Sequence, residues 1–305
     1  MVAQTLLEAS AKPPTTATWR LVCGFDLDGA ANMAVDEALL ESVIAGGQPV
    51  VRFYTWSPAT LSLGVNQAVG EIDRAACDAQ GFGLVRRITG GRAVLHQYEL
   101  TYAVIAREND PRVSGGVLES YRKISAGLVG GLQMLGANVE LSSYNRELHA
   151  AIASERRRRD LGLGQEMEVE SAHGAVCFDA ASAYELTAGG KKLVGSAQAR
   201  RGGAILQHGS ILLDIDWEAW ASVFSYASEA GRERALRRLP ARITSLKQEL
   251  GRDISPGEVV EALRAAFEHT LGISLEPATL NEEESMAARR LAKEKYGAEV
   301  WTTRT

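Results

Sequence analysis

Hydrophobic and polar positions change period several times along this chain, and the changes divide it into elements. Arg20 to Cys23 reads as a first strand. Met33, Leu40, Val43 and Ile44 then share one side of a helix predicted over Ala31 to Ala45 and ended by Gly46-Gly47, which leaves Asp36-Glu37 for its solvated face. Val50 to Trp56 and Thr60 to Leu63 alternate as strands, and Glu71 to Gln80 forms a short helix. Leu84 to Ile88, Arg92 to His96 and Leu100 to Ala106 predict a meander, turning at Gly90-Gly91 and Gln97-Tyr98-Glu99. The strongest helix follows Pro111: Val117, Tyr121, Ile124, Leu128, Leu132 and Leu135 form one stripe that Gly136 closes. Asn138 to Leu141 is a further strand.

In the second half, the runs Ser182 to Thr187, Lys192 to Arg200 and Ala204 to Leu213 are separated by Gly189-Gly190 and Gly202-Gly203. Paired glycines between short apolar runs signal hairpins, because tight turns need positive φ. Regular alternation in the middle run puts Lys192, Val194, Ser196 and Gln198 on one face. A lysine beside Ser196 and Gln198 can hold a polar group of a substrate. Ala204 to Leu213 reads as the last strand, and Trp217 to Phe224 is helical. Ser255, Pro256 and Glu258 make a capping box before a helix with Val259, Leu263, Phe267 and Leu271 on one face and Gly272 at its end. Asn281 with Glu284 caps a final helix, acidic at its start and basic near its end, as the helix dipole favours.

Residues 1–17 carry little to bury and read as a tail; 18–305 read as a single domain, with a helical part from 240 to 305 and no internal repeat. From Ser142 to Glu170 the composition turns charged and irregular, and Arg156 to Arg159 form a basic run. That run is either a solvated face or a docking patch for an acidic carrier protein.

Composition narrows the class. The 305 residues are 46% hydrophobic and 23% charged, ordinary for a soluble globular chain. A formal net charge of −5 argues against general nucleic-acid binding. No apolar run approaches a membrane span, and the N-terminus lacks a secretory pattern, so a cytoplasmic enzyme is expected. The three cysteines, Cys23, Cys77 and Cys177, lie far apart without a CxxC pair, which disfavours zinc and disulfides. Cys23 and Cys77 read as small core residues. Cys177 follows Gly174-Ala175 and is either a buried loop thiol or a nucleophile on a closely approached loop.

Two long motifs carry a family resemblance: RRITGGRAVLHQYELTYAV from Arg86 to Val104, and GAVCF, SAYE, GKKLVGSAQ and QHGS between Gly174 and Ser210. In this order they resemble the lipoate/biotin protein ligase superfamily, most of all the cysteine-dependent octanoyltransferases of lipoate assembly. The resemblance runs from about Trp19 to about Trp301. It implies an α+β fold (α/β), with a mixed, largely antiparallel central sheet flanked by helices.

It also implies acyl transfer without a cofactor or metal. The octanoyl group of an octanoyl-acyl carrier protein passes to Cys177, then to a lysine of an apo lipoyl domain such as glycine cleavage H protein or a 2-oxoacid dehydrogenase subunit. Thioester exchange is nearly balanced in energy and needs no ATP. On this reading Lys192, rather than its neighbour Lys191, polarises the acyl carbonyl, with Gly195, Ser196 and Ala197 beside it in the same motif. Gly90 and Gly91 bring backbone N–H groups close to that carbonyl or to a phosphate. Arg87 and Arg92 flank the glycine turn, as does Arg86, and some of them only solvate the meander. Asn66, in the turn Gly64-Val65-Asn66-Gln67, is placed either near the acyl pocket or in a plain polar turn. His96 is either a polar contact or structural; His208 reads as a satisfied core residue. One departure stands out: Ala181 occupies a position where the octanoyltransferases usually have proline, which weakens any transfer of loop geometry. The alternatives are an ATP-dependent lipoate–protein ligase on the same fold, an amidotransferase between lipoyl domains, and a catalytically silent binder of acylated carriers.

Overall fold

The computed structural model describes residues 17–142 and 185–304. An eight-stranded mixed sheet runs in the order β11 (Ile273–Pro277), β1 (Ala17–Leu27), β2 (Val50–Trp56), β6 (Glu99–Arg107), β10 (Ala204–Leu212), β9 (Lys191–Arg201), β8 (Leu186–Ala188) and β7 (Val139–Leu141). The β11–β1–β2 edge is parallel; every other pairing is antiparallel. The glycine pairs make the two hairpins expected of them, and all four glycines take positive φ.

Helices cover both faces. On one side, α3 (Val117–Met134) and α7 (Pro256–Leu271) press Ile124, Leu128, Leu132, Leu263 and Phe267 against Phe53, Tyr102 and Val104. On the other, α1 (Gly29–Ile44) lies on the sheet beneath α8 (Glu282–Leu291). Both C-terminal capping boxes form.

Four expectations need correction. The segments after Leu84 do not form a meander. β4 (Gly83–Arg86) pairs parallel with β3 (Thr60–Leu63), β5 (Val94–His96) pairs with its other edge, and β6 leaves for the large sheet. This small sheet packs on α2 (Arg74–Ala79) and α4 (Trp217–Ser222) through Cys77, Trp220 and Phe224. The strand ending at Leu212 is not the last, because β11 adds a parallel strand inside the C-terminal part. Cys77 is buried, but Cys23 is exposed.

The acidic pair of α1 is the fourth. Asp36 and Glu37 are only 1% and 2% exposed, since α1 is sandwiched and has almost no solvated face. Asp36 meets Arg52 at 2.5 Å, and Glu37 meets Lys295 at 2.6 Å and Arg201 at 2.8 Å. Buried charges persist when they are paired this way.

Candidate active site

Where α1, the small sheet and the centre of the large sheet meet, they form a narrow cleft with a free volume of about 50 Å³. Its apolar wall is Met33, Tyr54, Trp56, Val94 and Ala197; its polar groups come from Ser62, Arg87, His96, Thr101, His208 and Ser210, with the backbone of Gly91 and Gly195. Arg87 is the one arginine or lysine on this wall among the described residues, and its guanidinium is turned to protein carbonyls. It donates to Ser62 O at 2.9 Å, Gly90 O at 2.8 Å and Arg92 O at 2.7 Å, so it ties the Gly90-Gly91 turn to β3.

Its histidines are held on both sides. His96 stacks on Trp56 with ring centroids 4.0 Å apart, and its Nε2 lies 2.8 Å from Ser62 Oγ. Burial pushes its pKa below the ordinary value, more than Glu99 pulls it up, so it is uncharged near neutral pH. His208 Nδ1 lies 2.8 Å from Asp36 Oδ2, and Nε2 is 2.6 Å from Thr89 Oγ1 beside the glycine turn. Burial alone would raise the pKa of Asp36. Arg52 and His208 outweigh that and hold it below the usual carboxylate range. Glu99 accepts from Thr101 Oγ1 at 2.8 Å and from Ser210 Oγ at 2.6 Å, and Trp56 Nε1 donates to Thr101 Oγ1 at 2.8 Å.

Of the residues singled out in the sequence, the cleft brings together Arg87, Gly91, His96, Gly195, Ser196 and Ala197. Gly90 stands next to it. Gly64 packs so closely on this turn that a Cβ on it would lie 2.0 Å from Gly91 O. Asn66 is exposed. Arg92 turns to Glu71, 2.7 Å away. Arg86 is fully buried and does not solvate anything: it donates to the carbonyls of Gly64 at 2.7 Å, Gln67 at 2.6 Å and Thr302 at 2.8 Å. Cys177, Ala181 and the Arg156 to Arg159 run lie outside the described residues.

Lys192 departs from simple alternation. Leu186 opposes Val194, but Thr187 opposes Lys192, so β9 holds one extra residue there. Leu193 and Val194 consequently both enter the core beneath α3 and α7, as do Leu186 and Ala188. Lys192, opposite Thr187, falls on the other face. Ser196 and Gln198 stay on the α3 side, where Ser196 accepts from Tyr102 OH at 2.8 Å and Gln198 meets Gln207 at 3.0 Å. Lys192 thus lies on the same face of β9 as Gly195 and Ala197 but outside the lining of the cleft, with its ammonium 2.6 Å from Glu185 Oε1.

The residues that sequence reasoning missed are Asp36, Thr89, Thr101 and Ser210. Thr89 and Thr101 sit in the first motif and Ser210 in QHGS, but His208, Trp56 and Glu99, which give them a role, reach them only through the fold, as Arg52 and His208 reach Asp36.

A mixed sheet flanked by helices in this arrangement is the fold of solved lipoate-protein ligases. A bipartite lipoate protein ligase of Thermoplasma acidophilum superposes with a TM-score of 0.74 at 24% identity, covering 94% of this chain and 96% of that one. A lipoate-protein ligase A bound with ATP gives 0.71 at 26% identity, covering 94% and 98%. Residues 28–268 match the lipoyl protein ligase A/B catalytic domain, and the chain belongs to that family. Within it, the chain is 42% identical to a protein of Lysinibacillus sphaericus named octanoyltransferase LipM, over 93% of this chain and 98% of that one. A protein of the same name from Kyrpidia tusciae is 44% identical over 94% and 99%.

Proposed function

We propose that this chain is an octanoyltransferase of lipoate assembly, moving an octanoyl group from octanoyl-acyl carrier protein through a cysteine thioester to a lysine of a lipoyl domain. The observation that carries this reading is the identity of 42% with octanoyltransferase LipM along nearly the whole of both chains. The cleft supports it: Met33, Tyr54, Trp56, Val94 and Ala197 offer a saturated chain an apolar wall, and the Arg87 guanidinium beside them is turned to protein carbonyls.

The steps balance without ATP. A thiolate attacks the thioester carbonyl carbon, a new C–S bond forms, and the carrier's thiolate leaves. The amine of the acceptor lysine then attacks the same carbon, an amide forms, the cysteine thiolate departs and the amine loses a proton. Cys177, known here from its sequence context alone, is the nucleophile. Lys192, on the cleft face of β9, stabilises charge developing on the carbonyl oxygen, together with backbone N–H groups of the Gly90-Gly91 turn.

The test is intact mass after mixing with octanoyl-carrier protein, with and without ATP. An added octanoyl group on the wild type, lost in Cys177→Ser, followed by transfer to an apo lipoyl domain without ATP, is expected. Strict dependence on ATP and free fatty acid would instead make the chain a ligase. Acceptance of octanoyl only from an octanoylated lipoyl domain would make it an amidotransferase.

A further inference from the structure

The charge of Lys192 has a dedicated partner that the reaction as described leaves without a role. Its side chain is 4% exposed and that of Glu185 12%, and the two meet at 2.6 Å. A lysine carries a flexible four-carbon stem and a compact charge, so it needs both an anchor and a counter-charge to be useful inside a protein.

The backbone is arranged to make them meet. By alternation, Glu185 and Thr187 lie on the face opposite Leu186 and Ala188, which are in the core. In an unbulged strand of the same residues, Lys192 would share a face with Val194 on the core side, away from Glu185. The bulge turns it to Glu185 and to the cleft face. Both backbones are pinned from outside the hairpin. Ser142 N donates to Glu185 O at 2.8 Å, and Thr244 N donates to Lys192 O at 3.0 Å, beside the bridge from Lys192 to Ile243. A pair that served stability alone would not need this placement, since replacing a buried ion pair by apolar residues is often neutral or stabilising.

We propose that Glu185 is a positioning residue for acyl transfer: its carboxylate holds the Lys192 ammonium on the cleft face, at the start of the strand whose Gly195 and Ala197 line the cleft. This rests on the reading of Lys192 given above. Glu185 touches no substrate; it acts through the lysine, which leans on it until a carbonyl oxygen arrives and then shares its donors between the two.

The experiment measures single-turnover formation of acyl-enzyme from octanoyl-acyl carrier protein, with donor affinity and thermal melting recorded in parallel. Glu185→Gln is near-isosteric and should slow acylation by up to about a hundredfold, the size of effect that small misplacement of a catalytic group produces, while donor affinity stays within about twofold. Glu185→Asp should recover part of the rate. In a Lys192→Ala background, Glu185→Gln should cost almost nothing further, because the two act as one unit. Acylation by Glu185→Gln at the wild-type rate, or an additive loss in the double variant, overturns the proposal and leaves the transferase reading intact. A wild type that forms no acyl-enzyme, or a fully active Lys192→Ala, overturns that reading and the proposal with it.

Discussion

The carboxylate of Asp36 and the imidazole of His208, 172 residues apart in the chain, lie 2.8 Å from one another beneath the cleft. Asp36 also accepts from Tyr54 OH at 2.8 Å and from Arg52 at 2.5 Å, so one carboxylate ties α1, β2 and β10 together. Asp36→Asn would leave the Arg52 guanidinium buried without its counter-charge. The expected loss is about 3 kcal/mol of stability, the lower end for breaking a buried ion pair. Urea unfolding checks it; a midpoint equal to the wild type would show that water replaces the carboxylate.

Stability should depend on pH in two stages. The pKa of His96 is depressed below its ordinary 6.5, chiefly by burial, so the unfolded chain takes up its proton first and stability declines as pH falls below that value. Burial opposes ionisation of Asp36 and Glu37, yet Arg52 and His208 for the first, and Lys295 and Tyr296 for the second, hold both below their ordinary 3.8 and 4.5. Their contribution is present above those values and is lost as pH falls through the folded-state values. Melting temperature measured from about pH 7.5 to about pH 2.5 should therefore fall gently and then steeply. His96→Gln should remove the gentle stage; its persistence would assign that stage to another group.

Gly64 is a further test. Alanine there would put Cβ 2.0 Å from Gly91 O and 2.9 Å from Gly91 C, contacts with backbone that no rotamer relieves. The glycine turn must shift, and the predicted cost is about 1–3 kcal/mol in stability with up to about a hundredfold in rate. Full activity in Gly64→Ala would show that the Gly90-Gly91 turn has no part in the chemistry.

The chain's C-terminal segment should matter to the site without touching it. Arg86 donates from Nε and one Nη to Thr302 O, while Trp301 Nε1 returns a hydrogen bond to Arg86 O at 2.8 Å. Deleting Glu299 to Thr305 strips a buried guanidinium of two bonds and frees the Gly64 to Gln67 turn it also holds. A loss of about 3 kcal/mol and weaker donor binding are expected by calorimetry and titration; an unchanged melt would refute the coupling.

What the sequence revealed follows the range of the forces involved. Hairpins at paired glycines and both C-terminal capping boxes depend on neighbours within a few residues, and they were legible. The site's buried partners were not. Asp36 and Glu37 look like a solvated pair until Arg52, His208, Arg201 and Lys295 arrive from other elements. Strand β11 is five residues long, ends in Pro277, and exists because β1 offers it a parallel edge. Alternation also misplaced Lys192, because a period of two assumes a regular strand and a bulge leaves no mark of its own in the residues.

That bulge lets two consecutive residues of β9, Leu193 and Val194, face the same core. Exchanging Leu193 for another apolar side chain of similar volume leaves the strand's frame intact. Removing it restores an unbroken ladder, with Lys192 still opposite Thr187 and Val194 opposite Leu186, so the ammonium keeps its face while the core beneath α3 and α7 loses one apolar side chain. The turn end of this hairpin and its core end are thus uncoupled: the strand can lose its bulged residue between the lysine and Gly195 without carrying the ammonium across the sheet.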